Sequence, residues 1–212
     1  ISEPYIVSSY KSHNEMNSNN INDIYIDEEK RIWIANYPEG ITIIDNRYKS
    51  YNWIKHSIGN RQSLVNDQVH SVIEDSDGDL WFGTSNGISL YQSKTGQWHS
   101  FLSSFDHQLK NKNHIFITLC EVSPGIIWAG GYTSGVYKIN KRTLSVEYFS
   151  PYLLNPDNIR PDKYIRDIVK DSKGYIWSGG FYNLKCFDLS LNSVRLYPGI
   201  NSVTAITEKD DG

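Results

Sequence analysis

The chain has 212 residues, of which 39% are hydrophobic and 13% aromatic, so it can bury a substantial core and is not a disordered segment. Its 21 basic and 24 acidic residues give a formal charge of -3, which excludes a broad positive surface for nucleic acid or anionic lipid. No apolar run reaches the roughly 18 residues that a membrane helix needs, and two cysteines are too few for a disulfide framework. We therefore expect no nucleic acid partner and no membrane contact by this segment.

Four tryptophans recur along the chain in the same local setting. They follow one another at intervals of 48, 47 and 49 residues, as Trp33, Trp81, Trp128 and Trp177. An internal period of roughly 40 to 50 residues is typical of a four-stranded propeller blade. The sequence therefore predicts an all-β propeller of four-stranded antiparallel blades, with about four complete blades and a half-blade at each end.

The predicted elements follow one repeating order along the chain. Residues 1–20 are predicted to comprise an outer strand of a preceding blade and a connector. Four blades are predicted at 21–68, 69–115, 116–164 and 165–202, followed by the inner strand of a truncated blade at 203–212, all in one propeller domain. Because such a piece of a longer propeller leaves strand edges unpaired, we expect it to self-associate through them, or to pair its N-terminal strand with the strand beginning at Val203.

Glycines mark the turns inside each predicted blade. Gly78 and Gly174 fall in the first hairpin turn, where an Asp side chain can cap the backbone and Gly accepts a positive φ. Gly87 and Gly135 end the connection from the second strand to the third. Lys30 takes the place of the turn glycine in the first copy, so we expect a strained or different turn there.

We interpret the repeated tryptophan as a packing wedge between adjacent blades. Burying an indole is worth about 4 to 6 kcal/mol as an upper estimate. Its N–H group should then donate to a carbonyl oxygen. Two places after each tryptophan stands a small residue that leaves room for a neighbouring backbone or ring; these are Ala35, Gly83, Gly130 and Gly179.

Candidate ligand contacts lie in the loops, because a propeller brings the second-to-third strand loops and the connectors between blades to one face. Aromatic residues stand four places after three of the four tryptophans, where they can stack on sugar rings or support one blade against the next. Polar candidates stand at the second position of two inner strands, near the predicted axis. The candidate ligand-binding residues are Tyr37, Tyr132, Phe181, Tyr182, His70 and Arg166.

Residue patterns of catalysis and metal binding are missing from the sequence. The histidines lack the spacing of a zinc protease helix, and neither a nucleophile with its base nor a phosphate-binding loop is recognisable. The acidic groups fall in hairpin turns, which we interpret as turn chemistry, with calcium at residues 75–79 as an alternative. We predict no catalytic residue, no metal and no cofactor.

Residues 75–88 resemble the two-component regulator propeller repeat. That pattern runs Asp, two variable residues, Gly, one variable residue, Leu or Ile, Trp, one variable residue, Gly, Thr, and then Gly with Leu or Ile. Residues 63–67 resemble the connector between blades in the same family. The other copies depart from it, since Ala35 replaces a glycine, and Gly131 and Gly180 replace the threonine.

Such repeats are similar to those in the extracytoplasmic sensors of bacterial hybrid two-component systems. The resemblance implies a periplasmic segment of an inner-membrane receptor, working as a dimer and recognising an oligosaccharide or other small molecule. The histidine kinase activity would then lie outside this chain, which would itself not be an enzyme. The alternatives are an enzyme on a propeller scaffold, of lyase or glycosidase type, and a scaffold for protein docking.

Overall fold

The computed structural model describes residues 20–45, 50–103, 114–149 and 163–209, apart from the side chains of residues 50 and 51. Within these ranges every regular element is a β-strand. The strands are β1 (Ile21–Ile26), β2 (Ile32–Asn36), β3 (Gly40–Asp45), β4 (Ser50–Ile54), β5 (Val69–Glu74), β6 (Leu80–Thr84), β7 (Gly87–Gln92), β8 (Gln97–Phe101), β9 (Phe116–Ser123), β10 (Ile126–Gly131), β11 (Gly135–Asn140), β12 (Ser145–Phe149), β13 (Ile165–Lys170), β14 (Ile176–Gly180), β15 (Leu184–Asp188) and β16 (Ser193–Tyr197).

The strands form four separate sheets, each built from four consecutive antiparallel strands. The orders are β1-β2-β3-β4, β5-β6-β7-β8, β9-β10-β11-β12 and β13-β14-β15-β16. Each sheet is one blade, and its inner strand begins where a sequence repeat begins, at Ile21, Val69, Phe116 or Ile165. Inner strands of successive blades contact one another. The predicted class, an all-β propeller fragment, is confirmed.

The hydrophobic cores lie between successive blades. Trp33 of the first blade has its ring 6.2 Å from the ring of Phe82 in the second. Trp128 of the third blade packs edge-on against Phe187 of the fourth, at 5.3 Å. Trp81 is fully buried in the core shared by the second and third blades. The repeated indole therefore occupies the contact between one sheet and the next, as a wedge would.

The small residue after each tryptophan accommodates the next inner strand. A methyl group added to Gly130 would lie 2.6 Å from Cγ2 of Ile165, the first residue of β13. One added to Gly83 would lie 2.8 Å from the carbonyl oxygen of Phe116, the first residue of β9. Because these gaps are shorter than any ordinary van der Waals contact, a side chain at Gly83 or Gly130 would force its neighbours to move, whereas the first blade carries Ala35 at this position.

Three of the four indole N–H groups donate to aspartate carboxylates. The prediction that they donate to carbonyl oxygens is therefore wrong. Trp33, Trp81 and Trp177 donate to the aspartate six positions earlier, at 2.8 to 2.9 Å; the acceptors are Asp27, Asp75 and Asp171. Each of these aspartates also accepts backbone N–H groups of the hairpin turn, so one side chain closes the turn and holds the indole. Burial opposes ionisation of Asp27 and Asp171, but these hydrogen bonds outweigh it and lower the pKa of both.

The third blade lacks this anchor. The residue six places before Trp128 is Val122, which is buried and cannot accept a hydrogen bond. The Trp128 indole nitrogen is buried and has no hydrogen-bond acceptor among the described residues. A buried donor without a partner costs about 1 to 3 kcal/mol, so this blade carries a defect that its neighbours do not.

The first hairpin turn is the same with and without glycine. Gly78 and Gly174 have φ of 83° and 88°, and Lys30 has a φ of 67° at the equivalent position. The N–H of Lys30 donates to the carbonyl oxygen of Asp27 at 2.9 Å, as that of Gly78 donates to Asp75. The first turn therefore keeps its type, and the left-handed conformation falls on a lysine.

Residues 203–209 follow the fourth blade without pairing into a strand ladder. They nevertheless make the contacts of an inner strand. The Ile206 N–H donates to Oδ2 of Asp167 at 2.6 Å, as the Val72 N–H of β5 donates to Asp23 of β1 at 2.8 Å. The predicted outer strand within residues 1–20 lies outside the described residues, except for Asn20. In the described part of the chain, no helix is long and apolar enough to span a bilayer.

Candidate ligand-binding face

Two kinds of loop meet at one end of the blades, which we call the loop face. The first residue of each third strand donates a backbone hydrogen bond to the connector before the next inner strand; the pairs are Gly40 with Asp67, Gly87 with His114, and Gly135 with Lys163, at 2.8 to 3.0 Å. The residue four places after the tryptophan donates to the residue before its own inner strand; these pairs are Tyr37 with Asn20, Ser85 with Gln68, and Tyr132 with Ile115, at 2.8 to 2.9 Å. These bonds fix the positions of the candidate aromatic residues.

Two of the predicted residues belong to an aromatic cluster between the third and fourth blades, formed by Tyr132, Tyr164 and Phe181. The ring of Tyr164 lies 5.6 Å from Tyr132 in an edge-on arrangement and 4.7 Å from Phe181. Tyr132 is 40% exposed and Phe181 is 36% exposed. The rings therefore support each other across the blade contact and still present open aromatic surface, and stacking of a ligand on that surface stays a prediction.

Arg166 joins the aromatic cluster. Its guanidinium carbon lies 5.5 Å from the centre of the Phe181 ring, within the range of a cation–π contact. Tyr182, the next predicted residue, is 48% exposed, and its backbone carbonyl oxygen accepts a hydrogen bond from the buried Lys185 at 3.1 Å. A hydrogen bond from the Lys185 side chain thus stabilises the loop that carries Phe181 and Tyr182.

Tyr164 is absent from the residues that the sequence predicts. It stands directly before β13, at the end of a long connector. The predicted aromatic residues instead stand four or five places after a tryptophan. The signal that could have found it is an aromatic residue at the position that closes a connector, where Gln68 and Ile115 stand in the other blades.

The other two predicted residues form a second group, between the first and second blades. The rings of Tyr37 and His70 lie 6.0 Å apart. The Nε2 atom of His70 lies 2.8 Å from the Ser85 hydroxyl, and its Nδ1 atom lies 3.3 Å from the side-chain nitrogen of Asn22. Burial lowers the pKa of His70, so the imidazole is neutral at pH 7.

The directions of the hydrogen bonds in this second group do not activate the Ser85 hydroxyl as a nucleophile. The Asn22 side-chain nitrogen donates to the carbonyl oxygen of Val69 at 2.8 Å, which leaves its other hydrogen for His70 Nδ1. Nδ1 is then the acceptor, and the single proton of a neutral imidazole resides on Nε2, facing Ser85. A catalytic base would need the opposite arrangement, because Nε2 must accept the proton of the hydroxyl.

A groove of about 630 Å³ runs between the outer parts of the first and second blades. Its walls include Trp53, Tyr91 and Trp98, with Asn52 and Gln62 among the polar groups. None of these residues is predicted from the sequence; they lie in the third strand β7, in the outer strands β4 and β8, and in a connector. The groove is a second concave surface with both aromatic and hydrogen-bonding groups.

The acidic turn at residues 75–79 holds a lysine. The ammonium of Lys141, from the turn after β11, lies 2.7 Å from Asp75, 2.9 Å from Asp77 and 2.8 Å from Asp79. Burial opposes its charge, but the three carboxylates outweigh that effect and raise the pKa of Lys141. The position that a calcium ion would take in such a turn is therefore filled by an ammonium group. No cluster of three or more metal-binding side chains occurs among the residues that the structure describes.

Comparison with known proteins agrees with the sequence resemblance. Residues 15–37 and 63–86 match the sequence profile of the family described as "Two component regulator propeller". These two segments match the repeat of this family, so the predicted resemblance is confirmed. No curated protein sequence matches the chain.

Solved structures share the fold. The chain superposes with a TM-score of 0.72 and 21% identity on the extracellular domain of a protein assigned as a hybrid two component system from B. thetaiotaomicron, covering 88% of this chain and 24% of that one. For the extracellular domain of a B. thetaiotaomicron protein assigned as a one component system, the TM-score is 0.64 and the identity 22%, with 88% and 25% covered.

A third structure is PorZ, a surface component of the type-IX secretion system of Porphyromonas gingivalis. It matches with a TM-score of 0.66 and 16% identity, covering 91% of this chain and 30% of PorZ. The chain thus spans about a quarter to a third of the length of these structures. At such identities the similarity establishes the propeller fold alone, which serves different functions in these proteins.

Proposed function

Because the chain carries repeats of the two-component regulator propeller family, we propose that it is a ligand-sensing segment of an extracytoplasmic receptor. In this proposal it binds an oligosaccharide at the loop face and passes the resulting change in blade packing to a histidine kinase outside this chain. The family match and the extracellular domains that share the fold support a sensor segment in the periplasm.

The observation that carries the proposal is the aromatic cluster. Tyr132 and Phe181 leave more than a third of their surface open although they sit at a packed contact between blades. Aromatic rings beside polar groups are the surfaces on which sugar rings stack. A stacked ligand would bridge the third and fourth blades, so binding would be coupled to the packing between them.

The proposal assigns no catalytic role to this segment. The alternative, an enzyme on a propeller scaffold, needs a base or carboxylates that converge at the axis. His70 is the histidine considered for this role, but its neutral ring directs its proton toward Ser85. This polarity favours a binding or structural role for His70.

The aromatic cluster can be tested by glycan binding. We expect Tyr132→Ala and Phe181→Ala each to weaken binding of the glycan selected on an array by about 1 kcal/mol, roughly fivefold in Kd, because each removes one stacking ring. The control is Tyr175→Ala, which removes an equally exposed ring, 38%, from the turn before β14. Isothermal titration calorimetry measures the affinities, and circular dichroism checks the fold. Unchanged Kd for both cluster variants would remove the cluster from the site.

A further inference from the structure

The aromatic cluster lies in a locally basic part of an acidic chain. The described loop segments that carry it are residues 130–135, 163–166 and 179–183. They contain Lys163 and Arg166 and no aspartate or glutamate, although the whole chain has a formal charge of -3. Within these segments both charged side chains are cationic, which favours an anionic ligand beside the rings.

Arg166 has no charged partner in the part of the chain that the structure describes. Among the described residues, none accepts a hydrogen bond from its guanidinium or forms an ion pair with it, and its contact is with the face of the Phe181 ring. The side chain is half-buried. A guanidinium offers five N–H donors, so most of its hydrogen-bonding capacity is available at the edge of the aromatic cluster.

Three other cations of the chain are paired with carboxylates. The Lys141 ammonium lies between three carboxylates, and the Arg31 guanidinium lies 2.6 Å from Asp27. Even the half-exposed Lys55 lies 2.8 Å from Glu39. Arg166 differs from these three cations, which hold blades and turns together, so its guanidinium is available to a partner from outside the protein.

We propose that the ligand of the loop face is an acidic saccharide, whose carboxylate or sulfate group pairs with Arg166 while a sugar ring stacks on Tyr132 or Phe181. This inference rests on the proposed function and narrows its ligand class. The planar guanidinium presents two parallel N–H groups, which match the two oxygens of a carboxylate or sulfate. The Phe181 ring holds the guanidinium in place, so that less conformational freedom is lost on binding.

Matched saccharide pairs distinguish charge from sugar structure. The carboxylate pair is hexagalacturonate and its methyl ester, and the sulfate pair is a sulfated galactan hexasaccharide and its desulfated form. We expect at least one acidic member to bind about 10- to 100-fold more tightly than its neutral counterpart, because a charge-assisted hydrogen bond is gained. Its affinity should also fall as the salt concentration rises.

Variants assign that difference to one side chain. Arg166→Gln should lower the affinity for the acidic saccharide to that of its neutral counterpart and leave the neutral one unchanged. Arg166→Lys should restore part of it, since the charge returns without the planar pair of donors. The control is Arg142→Gln, which changes the net charge equally at an exposed residue beside Lys141, in the turn after β11.

Four outcomes would overturn the inference. Equal affinity within both pairs, or an acidic preference that Arg166→Gln leaves intact, removes the anion site but not the saccharide sensor. If neither pair binds and the array selects a neutral glycan whose binding depends on Tyr132, the ligand is not acidic and the proposed function stands. If no glycan on the array binds, both the inference and the proposed function fail.

Discussion

The repeated indole has two environments in this chain. In three blades its N–H donates to an aspartate of the hairpin turn, and in the third blade Val122 leaves the Trp128 N–H without an acceptor among the described residues. A hydrogen bond to a charged acceptor contributes about 1.5 to 3 kcal/mol, whereas an orphaned donor costs free energy. The same tryptophan therefore stabilises its blades unequally.

This inequality predicts different costs for one substitution. Trp81→Phe removes packing and the hydrogen bond to Asp75, while Trp128→Phe removes packing and an unsatisfied donor. We expect Trp81→Phe to lower the free energy of unfolding by about 2 kcal/mol more than Trp128→Phe. Urea denaturation monitored by circular dichroism measures both, and equal losses would contradict the role assigned to Asp75.

The Lys141 ammonium of the third blade forms ion pairs with the second blade. Its ammonium and the carboxylates of Asp75 and Asp79 are nearly inaccessible to solvent. Lys141→Met keeps the aliphatic stem but leaves two buried carboxylates without a counterion, so we expect a loss of about 3 to 5 kcal/mol in the free energy of unfolding. The matched control is Lys55→Met, which breaks a half-exposed ion pair and should cost about 0 to 1 kcal/mol. Similar costs for both, in urea denaturation, would refute the bridging role.

Three of the four third strands begin with a glycine, at Gly40, Gly87 and Gly135. Gly87 has a φ of 99°, and a methyl group there would lie 2.5 Å from the carbonyl oxygen of Phe101 in the neighbouring strand β8. Gly96 also has a positive φ, 71°, but no atom lies within 4 Å of a methyl group added to it. The two glycines thus share backbone strain and differ in the space around them.

Alanine at these two glycines separates strain from crowding. We expect Gly96→Ala to cost about 1 to 2 kcal/mol, from the left-handed conformation alone. Gly87→Ala should cost about 3 kcal/mol or more, because β7 must also move away from β8. Thermal unfolding followed by circular dichroism ranks the two variants. A smaller loss for Gly87→Ala than for Gly96→Ala would show that β7 adjusts without strain.

At the element scale, the sequence predicted local features well and contacts between blades poorly. Strand starts and turns could be predicted because the Trp period aligns four copies, and Val122 can be recognised by counting six places back from Trp128. Lys141 could not be assigned to Asp75, because the two residues are 66 positions apart and meet only once two blades pack. Tyr164 was missed for the same reason, since its neighbours belong to other loops.

At the scale of the whole molecule, the two end blades expose complementary surfaces. On the first blade, Ile24 and Ile26 of the inner strand are 55% and 57% exposed. On the fourth, Val169 and Trp177 line an apolar cavity of about 350 Å³ beside residues 206–208. In the contacts between successive blades within the chain, a tryptophan side of one sheet packs against the opposite side of the next. If these two apolar surfaces meet between two copies of the chain, they would form one more such contact.

We therefore expect the chain to self-associate from end to end, in a concentration-dependent manner. Ile24→Asp should shift it toward monomer, because a charge in the contact must be desolvated. The control is Ile58→Asp, since Ile58 is 94% exposed on the connector between the first two blades and lies away from the end surfaces. Sedimentation velocity over a range of concentrations measures the shift. A monomer at all concentrations for the unmodified chain would refute this association.

Residues 203–209 contact the fourth blade as an inner strand contacts the blade before it. Gly179 makes room for Val203, Asp167 receives the Ile206 N–H, and Ser172 donates two hydrogen bonds to Glu208, at 2.7 and 2.8 Å. The finished blade therefore acts as a template on which the following segment can settle as it leaves the ribosome. Growth by such successive additions would allow a long propeller to assemble in the direction of synthesis, one sheet at a time.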